Sequence, residues 1–364
     1  VFLKDKDQID LIKDFSNANG APGFEQEVAN LFINKTSSKS DTDIDGIFNS
    51  YASLKSNTGH RPVVQLDAHA DAVGFIVQAV RPNGLLKFVA LGGWIPTNIP
   101  AMKVRVRNKH GEYVTGVVAT KPPHFMTDFE KKALPVISDM SIDIGSLSRE
   151  ETINEFEIDT GCPIVPDVEC EYNPKNKMFF GKDFDNRLGA AALVNMIDNL
   201  DSLPLSVDVV AALSTQEEVG LRGVHATTRK INTDLGIVFE GCPCDDTFYP
   251  DWLAQTGLKR GPMLRDMDTS FIANPIFENF ADAIANEYQI PHTRSVRTGG
   301  GVNGAVVEYY EGAPTIVVGI PVRYEHTAYN WANLEDFQNA VKLVTKIIEK
   351  MDMVTIKSFR GQTH

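Results

Sequence analysis

A series of short β-type segments between residues 73 and 120 interrupts a chain that otherwise alternates helices and strands, and this interruption constrains the fold more than any other feature. The segments are Phe75–Val80, Leu85–Leu91, Lys103–Arg107 and Tyr113–Val118. Asn83-Gly84 and His110-Gly111, which are typical of tight turns, join the first two segments and the last two. The stretch therefore predicts a small all-β unit.

Helical and strand-like patterns alternate on both sides of this β-rich stretch. Apolar residues recur at helical spacing in Gln8–Phe15 and Gln26–Ile33, and a short apolar strand follows at Pro62–Leu66. The later predicted elements are helix Asn186–Leu200, strands Val207–Leu213 and Leu235–Phe239, helix Ile276–Tyr288, strand Thr315–Val318 and a final helix from Leu334, capped by Asn333. An α/β domain interrupted by a β insert is the simplest architecture that fits this order.

The charge balance argues against partners that carry phosphate. The 364 residues include 35 basic and 48 acidic side chains, a formal charge of -13, which favours solubility and opposes binding to nucleic acid or to an anionic membrane. There is no run of about 20 apolar residues and no signal-type apolar core. Four cysteines, with Cys242-Pro-Cys244 lacking C-x-x-C spacing, indicate reduced thiols. These features predict a soluble, cytoplasmic protein without nucleic-acid or membrane partners.

Acidic residues and histidines stand where predicted strands end or a helix begins. They are His69 with Asp71, Asp185 before helix Asn186–Leu200, the pair Glu217 and Glu218, Glu240, and His326. The carboxyl ends of strands in open α/β sheets are where active sites form. Asp71 lies two residues beyond His69 on the same face of a strand, so its side chain is expected to fix the tautomer of the ring. A single histidine or acidic residue at the end of a strand is more often solvated or a capping residue. The prediction of an active site therefore depends on all of these residues together.

The adjacent carboxylates Glu217 and Glu218 need an explanation because like charges side by side repel. Two imidazoles and three carboxylates form the ligand set of a paired divalent-metal site, suited to zinc, cobalt or manganese. One glutamate can bind a metal while its neighbour holds the proton of a water, and the metal charges offset the repulsion. For the pair in isolation, a solvated turn is the alternative.

In their order along the chain, these motifs resemble those of a known family. The matching stretches are His69-x-Asp71-x-x-Gly74, Asp185-Asn-Arg187, Gln216-Glu-Glu-Val-Gly-Leu-Arg-Gly223, Phe239-Glu-Gly-Cys-Pro243 and Arg323-Tyr-x-His326. They are similar to motifs of the glutamyl, deblocking and tetrahedral aminopeptidases, metallopeptidase family forty-two, some of whose relatives carry the name cellulase or endoglucanase. The resemblance spans nearly the whole chain.

The resemblance implies an α/β fold with a mixed central sheet flanked by helices. Residues 1–71 and 169–364 would form this zinc-peptidase-like catalytic domain. Residues 72–168 would form an inserted, small β-barrel-like dimerisation domain. Dimers would assemble into a hollow tetrahedral dodecamer that admits peptides rather than folded proteins.

The resemblance also implies a role for each candidate residue and two divalent metal ions per subunit. The ligands would be His69 and Glu240 for one ion, Glu218 and His326 for the other, and Asp185 for both. Asp71 would orient His69. Glu217 would be the general base that takes a proton from the metal-bridging water, which attacks the scissile carbonyl, and would return a proton to the leaving amine. The substrates would be peptides with a free N-terminus.

Some positions depart from the family pattern. Ala72 stands where many relatives carry Glu, Asn303 replaces an acid in a Gly-rich segment, and Glu240 stands in place of Asp. Cys242 and Cys244 follow Glu240 so closely that thiolate ligation is an alternative.

Two other functions stay open at this point. An endoglucanase-type glycoside hydrolase needs two carboxyls that flank a glycosidic bond and usually a groove rich in aromatic residues, and three tryptophans in the whole chain give it little support. A catalytically inactive peptide-binding scaffold would lack a ligand or the base, and the sequence lacks neither.

Overall fold

A mixed sheet of eight strands forms the centre of the protein in the computed structural model, which describes residues 3–310 and 312–361. Residues 1–2 and 362–364, the outer ends of the predicted catalytic domain, lie outside the described residues. The strands of the described chain are β1 (Ser40–Ile44), β2 (Ser50–Leu54), β3 (Val63–His69), β4 (Gly74–Val80), β5 (Leu86–Leu91), β6 (Lys103–Arg107), β7 (Tyr113–Val118), β8 (Ile142–Asp143), β9 (Pro163–Pro166), β10 (Glu171–Asn173), β11 (Met178–Gly181), β12 (Asp208–Ser214), β13 (Leu235–Pro243), β14 (Met263–Met267), β15 (Thr293–Val296), β16 (Thr315–Val322) and β17 (Asn330–Asn333).

Helices pack on both faces of this sheet, and two further short helices, between residues 128 and 154, belong to the β-rich stretch instead. The helices of the described chain are α1 (Asp5–Asn17), α2 (Gln26–Thr36), α3 (Asp128–Lys132), α4 (Arg149–Asn154), α5 (Phe184–Leu200), α6 (Val224–Ile231), α7 (Pro275–Glu287), α8 (Gly304–Tyr309), α9 (Leu334–Glu349) and α10 (Met353–Phe359). Ile316 and Val318 of β16 pack into the large core with α5, α7 and α9, whereas Val317 joins a smaller cluster near α8. The alternation follows because successive side chains of a strand point to opposite faces.

The strand order places four parallel strands at the centre of the sheet. The order is β1-β2-β12-β3-β13-β16-β14-β15, and β12, β3, β13 and β16 pair in parallel. Their carboxyl ends therefore share one edge. β2 and β14 run antiparallel to this group, which makes the sheet mixed. The predicted α/β class with a mixed central sheet flanked by helices is confirmed.

The β-rich stretch folds into a closed antiparallel barrel. Its strand order is β4-β5-β8-β7-β6-β9, and all of these strands lie between residues 74 and 166. Phe75 packs against Phe88 and Trp94 in its interior, with ring centroids 4.9 and 4.8 Å away. The barrel that was predicted for the insert is present, and its role in dimerisation stays a prediction. A separate small sheet, β10-β11-β17, packs beside α5 and α9.

Most of the predicted elements are present, and the errors have physical causes. α1, α2, α5, α7 and α9 match predicted helices, and Asn333 caps α9 through a side-chain hydrogen bond to the amide of Glu335. The strand predicted at Thr315–Val318 continues to Val322 in β16. The prediction ended too early because Gly319 and Pro321 are residue types that are rare in strands. A Cβ at Gly319 would lie 2.7 Å from the Cys242 sulfur, so this close approach requires glycine.

The four cysteines are buried and free within the described chain. Among the helices of residues 3–310 and 312–361, none has the length and apolar character needed to span a membrane.

Candidate metal centre and active site

The predicted site residues converge at the carboxyl edge of the parallel strands. His69 is the last residue of β3, and Glu240 lies on the neighbouring strand β13. Glu217 and Glu218 follow β12, and His326 follows β16. Asp185 stands at the start of α5, where its backbone angles are not helical. Five separate parts of the chain thus supply one cluster.

The first group of possible metal ligands consists of His69, Asp185 and Glu240. His69 Nε2 lies 3.1 Å from Asp185 Oδ1 and 3.1 Å from Glu240 Oε1. All three side chains are largely buried, with His69 only 1% exposed. A nitrogen and two carboxylate oxygens therefore converge in a region shielded from bulk water.

The second group consists of Asp185, Glu218 and His326. His326 Nε2 lies 3.5 Å from Asp185 Oδ2 and 3.5 Å from Glu218 Oε2. The two oxygens of Asp185 thus face different histidines, Oδ1 toward His69 and Oδ2 toward His326. This arrangement is what a carboxylate that bridges two sites requires.

Asp71 contacts the His69 ring through its main-chain oxygen. His69 Nδ1 lies 3.0 Å from the main-chain oxygen of Asp71, whereas the nearest carboxylate oxygen is 3.6 Å away. The carboxylate instead accepts hydrogen bonds from the backbone amides of Glu217 and Glu218, at 2.9 and 3.0 Å. These two amides lie closer to the carboxylate than the ring nitrogen of His69 does. Asp71 therefore contacts both the ring and the Glu217–Glu218 turn.

Glu217 lines the cavity above the two groups. It is half-buried, and its backbone carbonyl accepts hydrogen bonds from Gly220 and Leu221, which closes the turn. The cavity has a volume of about 640 Å³ and is also lined by Arg265, Arg297 and the Gly-rich segment 299–301. The predicted general base thus lies in a cavity large enough for part of a peptide.

The inserted barrel segment contributes a contact that the sequence reasoning missed. The main-chain oxygen of Gly93 lies 2.9 Å from His326 Nδ1. A Cβ at Gly93 would be 3.0 Å from that same nitrogen, and a Cβ at Gly92 would be 3.3 Å from the side chain of Glu218. The only signal in the sequence is the Gly92-Gly93 pair at the end of β5.

Of the departures noted in the sequence, Glu240 belongs to the first ligand group, whereas Ala72 and Asn303 lie outside both groups. Asn303 is buried, and its Nδ2 donates to Asp67 Oδ1 at 2.8 Å and to Ser214 Oγ at 2.7 Å. It therefore ties α8 to strands β3 and β12 beneath the site. Ala72 is buried, and neither Cys242 nor Cys244 belongs to a possible ligand group within the described residues.

Charges within the cluster shift the pKa values strongly. Burial raises the pKa of Glu240 to about 7 and of Glu218 to about 8, although the histidines oppose this shift. Burial alone would lower the pKa of His326. Its contacts with Asp185 and Glu218 outweigh burial and raise this pKa to about 11. The pKa of Asp185 is lowered because hydrogen bonds to His326 and His69 outweigh its burial. A divalent ion would replace the imidazole protons and favour ionised carboxylates.

The chemistry of the donors fits a divalent metal ion in each group. The ligand atoms of each group lie within 4.8 Å of one another. Two buried oxygens of the cluster, Glu240 Oε2 and Glu218 Oε1, accept no hydrogen bond from any described residue. Such oxygens normally have a partner, and a cation would supply one. Imidazole and carboxylate are ligands that zinc, cobalt and manganese accept.

Comparison with known proteins gives consistent results. The family model of the M42 glutamyl aminopeptidases matches residues 49–343. A glutamyl aminopeptidase of Lactococcus lactis subsp. cremoris is 28% identical over 320 residues, 88% of this chain and 89% of that protein. Among solved structures, a TET aminopeptidase from the marine sediment archaeon Thaumarchaeota archaeon SCGC AB-539-E09 has a TM-score of 0.92 at 32% identity, covering 97% of this chain and 99% of its own.

A more distant structure shows the same fold. The TET1 peptidase of Pyrococcus horikoshii, described as able to assemble into a tetrahedron or a large octahedral shell, has a TM-score of 0.85 at 24% identity and covers 94% of this chain and 100% of its own. Because the family model matches most of the chain and the relatives match nearly end to end, this protein is a metal-dependent aminopeptidase that belongs to the M42 glutamyl aminopeptidase family.

Proposed function

We propose that the protein is a dinuclear metalloaminopeptidase that removes the N-terminal residue of peptides. The observation that carries this proposal is the position of Asp185, whose two oxygens face the two histidines of two separate ligand groups. His69 and Glu240 would hold one ion, Glu218 and His326 the other, and Asp185 both. Bound metal ions would polarise the scissile carbonyl and lower the pKa of a water.

Glu217 is proposed as the general base. Its neighbour Glu218 belongs to a ligand group, whereas Glu217 lines the cavity and lies outside both groups. A carboxylate in this position would accept the proton of the attacking water and donate a proton to the leaving amine. Two adjacent glutamates would thus have separate tasks, one as a ligand and one in proton transfer. The carboxylate of Asp71 accepts hydrogen bonds from the backbone amides of both glutamates and would hold the pair in place.

The family membership weighs against the other two functions. A glycoside hydrolase would need two carboxyls free to act on a glycosidic bond, whereas three carboxylates of this cluster face histidines. An inactive scaffold would lack a ligand or the base; the short distances between the candidate ligands and the position of Glu217 in the wall of their cavity support an active enzyme instead.

We also propose a homo-oligomer in which residues 72–168 form the dimer contact and dimers build a tetrahedral dodecamer. Residues 1–71 and 169–364 would be the catalytic domain. Support comes from the barrel, which lies wholly within the proposed insert, and from the assembly described for the TET1 peptidase. Light scattering on the purified chain would measure the assembly size.

We also propose that the protein is cytoplasmic. Its buried cysteine thiols are unpaired in the described chain, as expected in a reducing compartment.

The test is hydrolysis of aminoacyl-p-nitroanilides that carry Leu, Glu or Lys, with N-acetyl-Leu as the control. The enzyme is assayed before chelation, after chelation, and after zinc, cobalt or manganese is restored. We expect cleavage of free-amine substrates only, lost on chelation and regained with metal. Turnover that survives complete metal removal, or cleavage of the acetylated substrate, would contradict the proposal.

A further inference from the structure

A second cavity adjoins the first, and the two share part of their walls. It has a volume of about 590 Å³, and Pro243 and Glu325 line both cavities. Phe248, Tyr324 and Tyr329 contribute aromatic rings to the second cavity. Glu325 also immediately precedes His326, one of the candidate metal ligands. A group bound in the second cavity would therefore lie next to the reacting part of the substrate.

Glu325 is the acidic side chain of this wall, and one of its two oxygens lacks a partner. Its Oε2 atom is buried and accepts no hydrogen bond from residues 3–310 or 312–361. No lysine or arginine of those residues lines the second cavity. A buried acidic group with an unpartnered oxygen is costly, and a positively charged ligand that donates to it would satisfy it.

The two arginines of the first cavity are each paired with an aspartate. Arg265 donates to Asp268 at 3.1 Å, and Arg297 donates to Asp245 at 2.7 Å. Each arginine therefore has its own carboxylate, and neither is a hydrogen-bond partner of Glu325. The acidic group of the shared wall without a basic hydrogen-bond partner among the described residues is therefore Glu325.

The turn that carries Glu325 is firmly held. Tyr324 and His326, on either side of it, have positive φ angles of 64° and 56°. The main-chain oxygen of Tyr324 accepts hydrogen bonds from Thr327 Oγ1 and Asn330 Nδ2, both at 2.7 Å. These contacts fix the backbone around Glu325 before any substrate binds, which reduces the entropy lost on binding.

The aromatic wall suits the same ligand. Tyr329 stacks on Phe180 with ring centroids 5.9 Å apart and planes 5° from parallel, so the ring is held from behind. Phe248 and Tyr324 are exposed, at 69% and 45%. Aromatic faces attract ammonium and guanidinium groups, and they also pack against the aliphatic stem of a lysine or arginine.

We propose that the second cavity binds a basic side chain, lysine or arginine, of the substrate's N-terminal residue, and that Glu325 determines this specificity. The inference rests on the proposed aminopeptidase function and adds the substrate class. The carboxylate of Glu325 pairs with the cationic end of the side chain, and the aromatic rings contact its stem. A leucine side chain would leave Glu325 unpaired, and a glutamate side chain would be repelled.

The test compares kcat/KM for Lys-, Arg-, Leu- and Glu-p-nitroanilide in the wild type, Glu325→Gln and Glu325→Lys. We expect Lys and Arg to be preferred over Leu by the wild type, and Glu325→Gln to lower the Lys-to-Leu ratio about ten- to a hundredfold, the range of one charge-assisted hydrogen bond. Glu325→Lys should shift the preference toward Glu. Glu349→Gln, a charge change at the end of α9, is the matched control and should keep the wild-type ratio.

The dipeptides Lys-Ala and Ala-Lys distinguish the N-terminal side chain from the second one, and Lys-Ala should be the better substrate. A preference for Ala-Lys would overturn the assignment to the N-terminal residue. A wild type that cleaves Leu-p-nitroanilide but does not favour Lys, or a Lys-to-Leu ratio that Glu325→Gln leaves unchanged, would overturn this inference and leave the aminopeptidase intact. Absence of turnover on every free-amine substrate would instead overturn the proposed function itself. Metal content and thermal unfolding of each variant separate a specificity change from loss of the fold.

Discussion

The carboxylate of Asp71 accepts a hydrogen bond from the backbone amide of Glu217 at 2.9 Å. Because Asp71 follows the strand that ends in His69, this strand also holds the turn that carries the proposed base. The same carboxylate accepts the amide of Glu218 at 3.0 Å. One side chain thereby couples a candidate ligand strand to both adjacent glutamates. Its loss should alter the base and the second metal site together.

Asp71→Asn should disturb this turn because an amide NH₂ group would face a backbone N–H donor. We expect kcat to fall about ten- to a hundredfold, the usual cost of losing a group that orients ligands. Steady-state kinetics and metal analysis would measure the effect. Asp143→Asn, which changes a carboxylate that accepts the Gly145 amide at 2.7 Å on the exposed barrel surface, is the control and should retain full activity. Full activity of Asp71→Asn would remove this contact from the catalytic arrangement.

Glu217→Gln should separate proton transfer from metal binding. The amide keeps the shape of the side chain but cannot accept a proton, so we expect kcat to fall by a factor of about 10² to 10⁴ with metal content unchanged. The adjacent variant Glu218→Gln is the natural comparison, because it should lose metal as well as activity. Substantial turnover by Glu217→Gln would exclude Glu217 as the general base.

Asp185→Asn should lower metal occupancy in both ligand groups, because Asp185 supplies one oxygen to each. Glu240→Gln should lower occupancy in only one group. Elemental analysis after gel filtration would compare the two variants with the wild type. Equal metal loss in the two variants would argue against a bridging role for Asp185.

Gly93→Ala should weaken the position of His326. The added Cβ would lie 3.0 Å from Nδ1 of that ring and would compete with its 2.9 Å contact to the Gly93 oxygen. We expect a fall in metal affinity or activity of about ten- to a hundredfold, as for other groups that orient a metal-bound histidine. Gly46→Ala is the control, since a Cβ there meets no atom within 4 Å. Equal activity of both variants would show that the barrel segment does not support the site.

Glu278 should make stability depend on pH. It is 1% exposed on α7, and neither of its carboxylate oxygens has a partner among the described residues. Burial, followed by the nearby charge of Asp266, raises its pKa from 4.5 to about 8, although Arg294 opposes the shift. Because the folded pKa is the higher one, this group stabilises the fold below pH 4.5, and that contribution is lost as pH rises toward 8.

Glu278→Gln cannot ionise and should remove this dependence. The free energy of unfolding of Glu278→Gln minus that of the wild type should be larger at pH 8.5 than at pH 5. We expect this increase to be about 1–3 kcal/mol, the cost of an unsatisfied buried polar group. Urea unfolding followed by tryptophan fluorescence at both values would measure it. If the two proteins keep the same stability difference at both pH values, Glu278 ionises as freely in the folded state as in the unfolded one.

The elements that the sequence predicted well are those with a strong local pattern. The apolar stripe of α9 and its Asn333 cap lie within a few residues of one another, so the helix could be placed directly. The edge strand β1 was missed because it is polar and mostly exposed, and its pairing with β2 is what orders it. The end of β16 was missed because Gly319 and Pro321 disfavour strands locally, whereas the neighbouring strand β13 requires them to be extended.

The sequence by itself determined the class of fold and the residue types of the site. Strand-forming runs that end in His69, Glu217 and Glu240 suffice for this, because parallel strands bring their carboxyl ends to one edge. Only the tertiary structure decided which atoms meet. The oxygen of Gly93 reaches His326 from 233 positions away, and Glu325 lines a second cavity together with Phe248. Such contacts join segments that have no local relation in sequence, so they exist only once the barrel and the sheet have packed together.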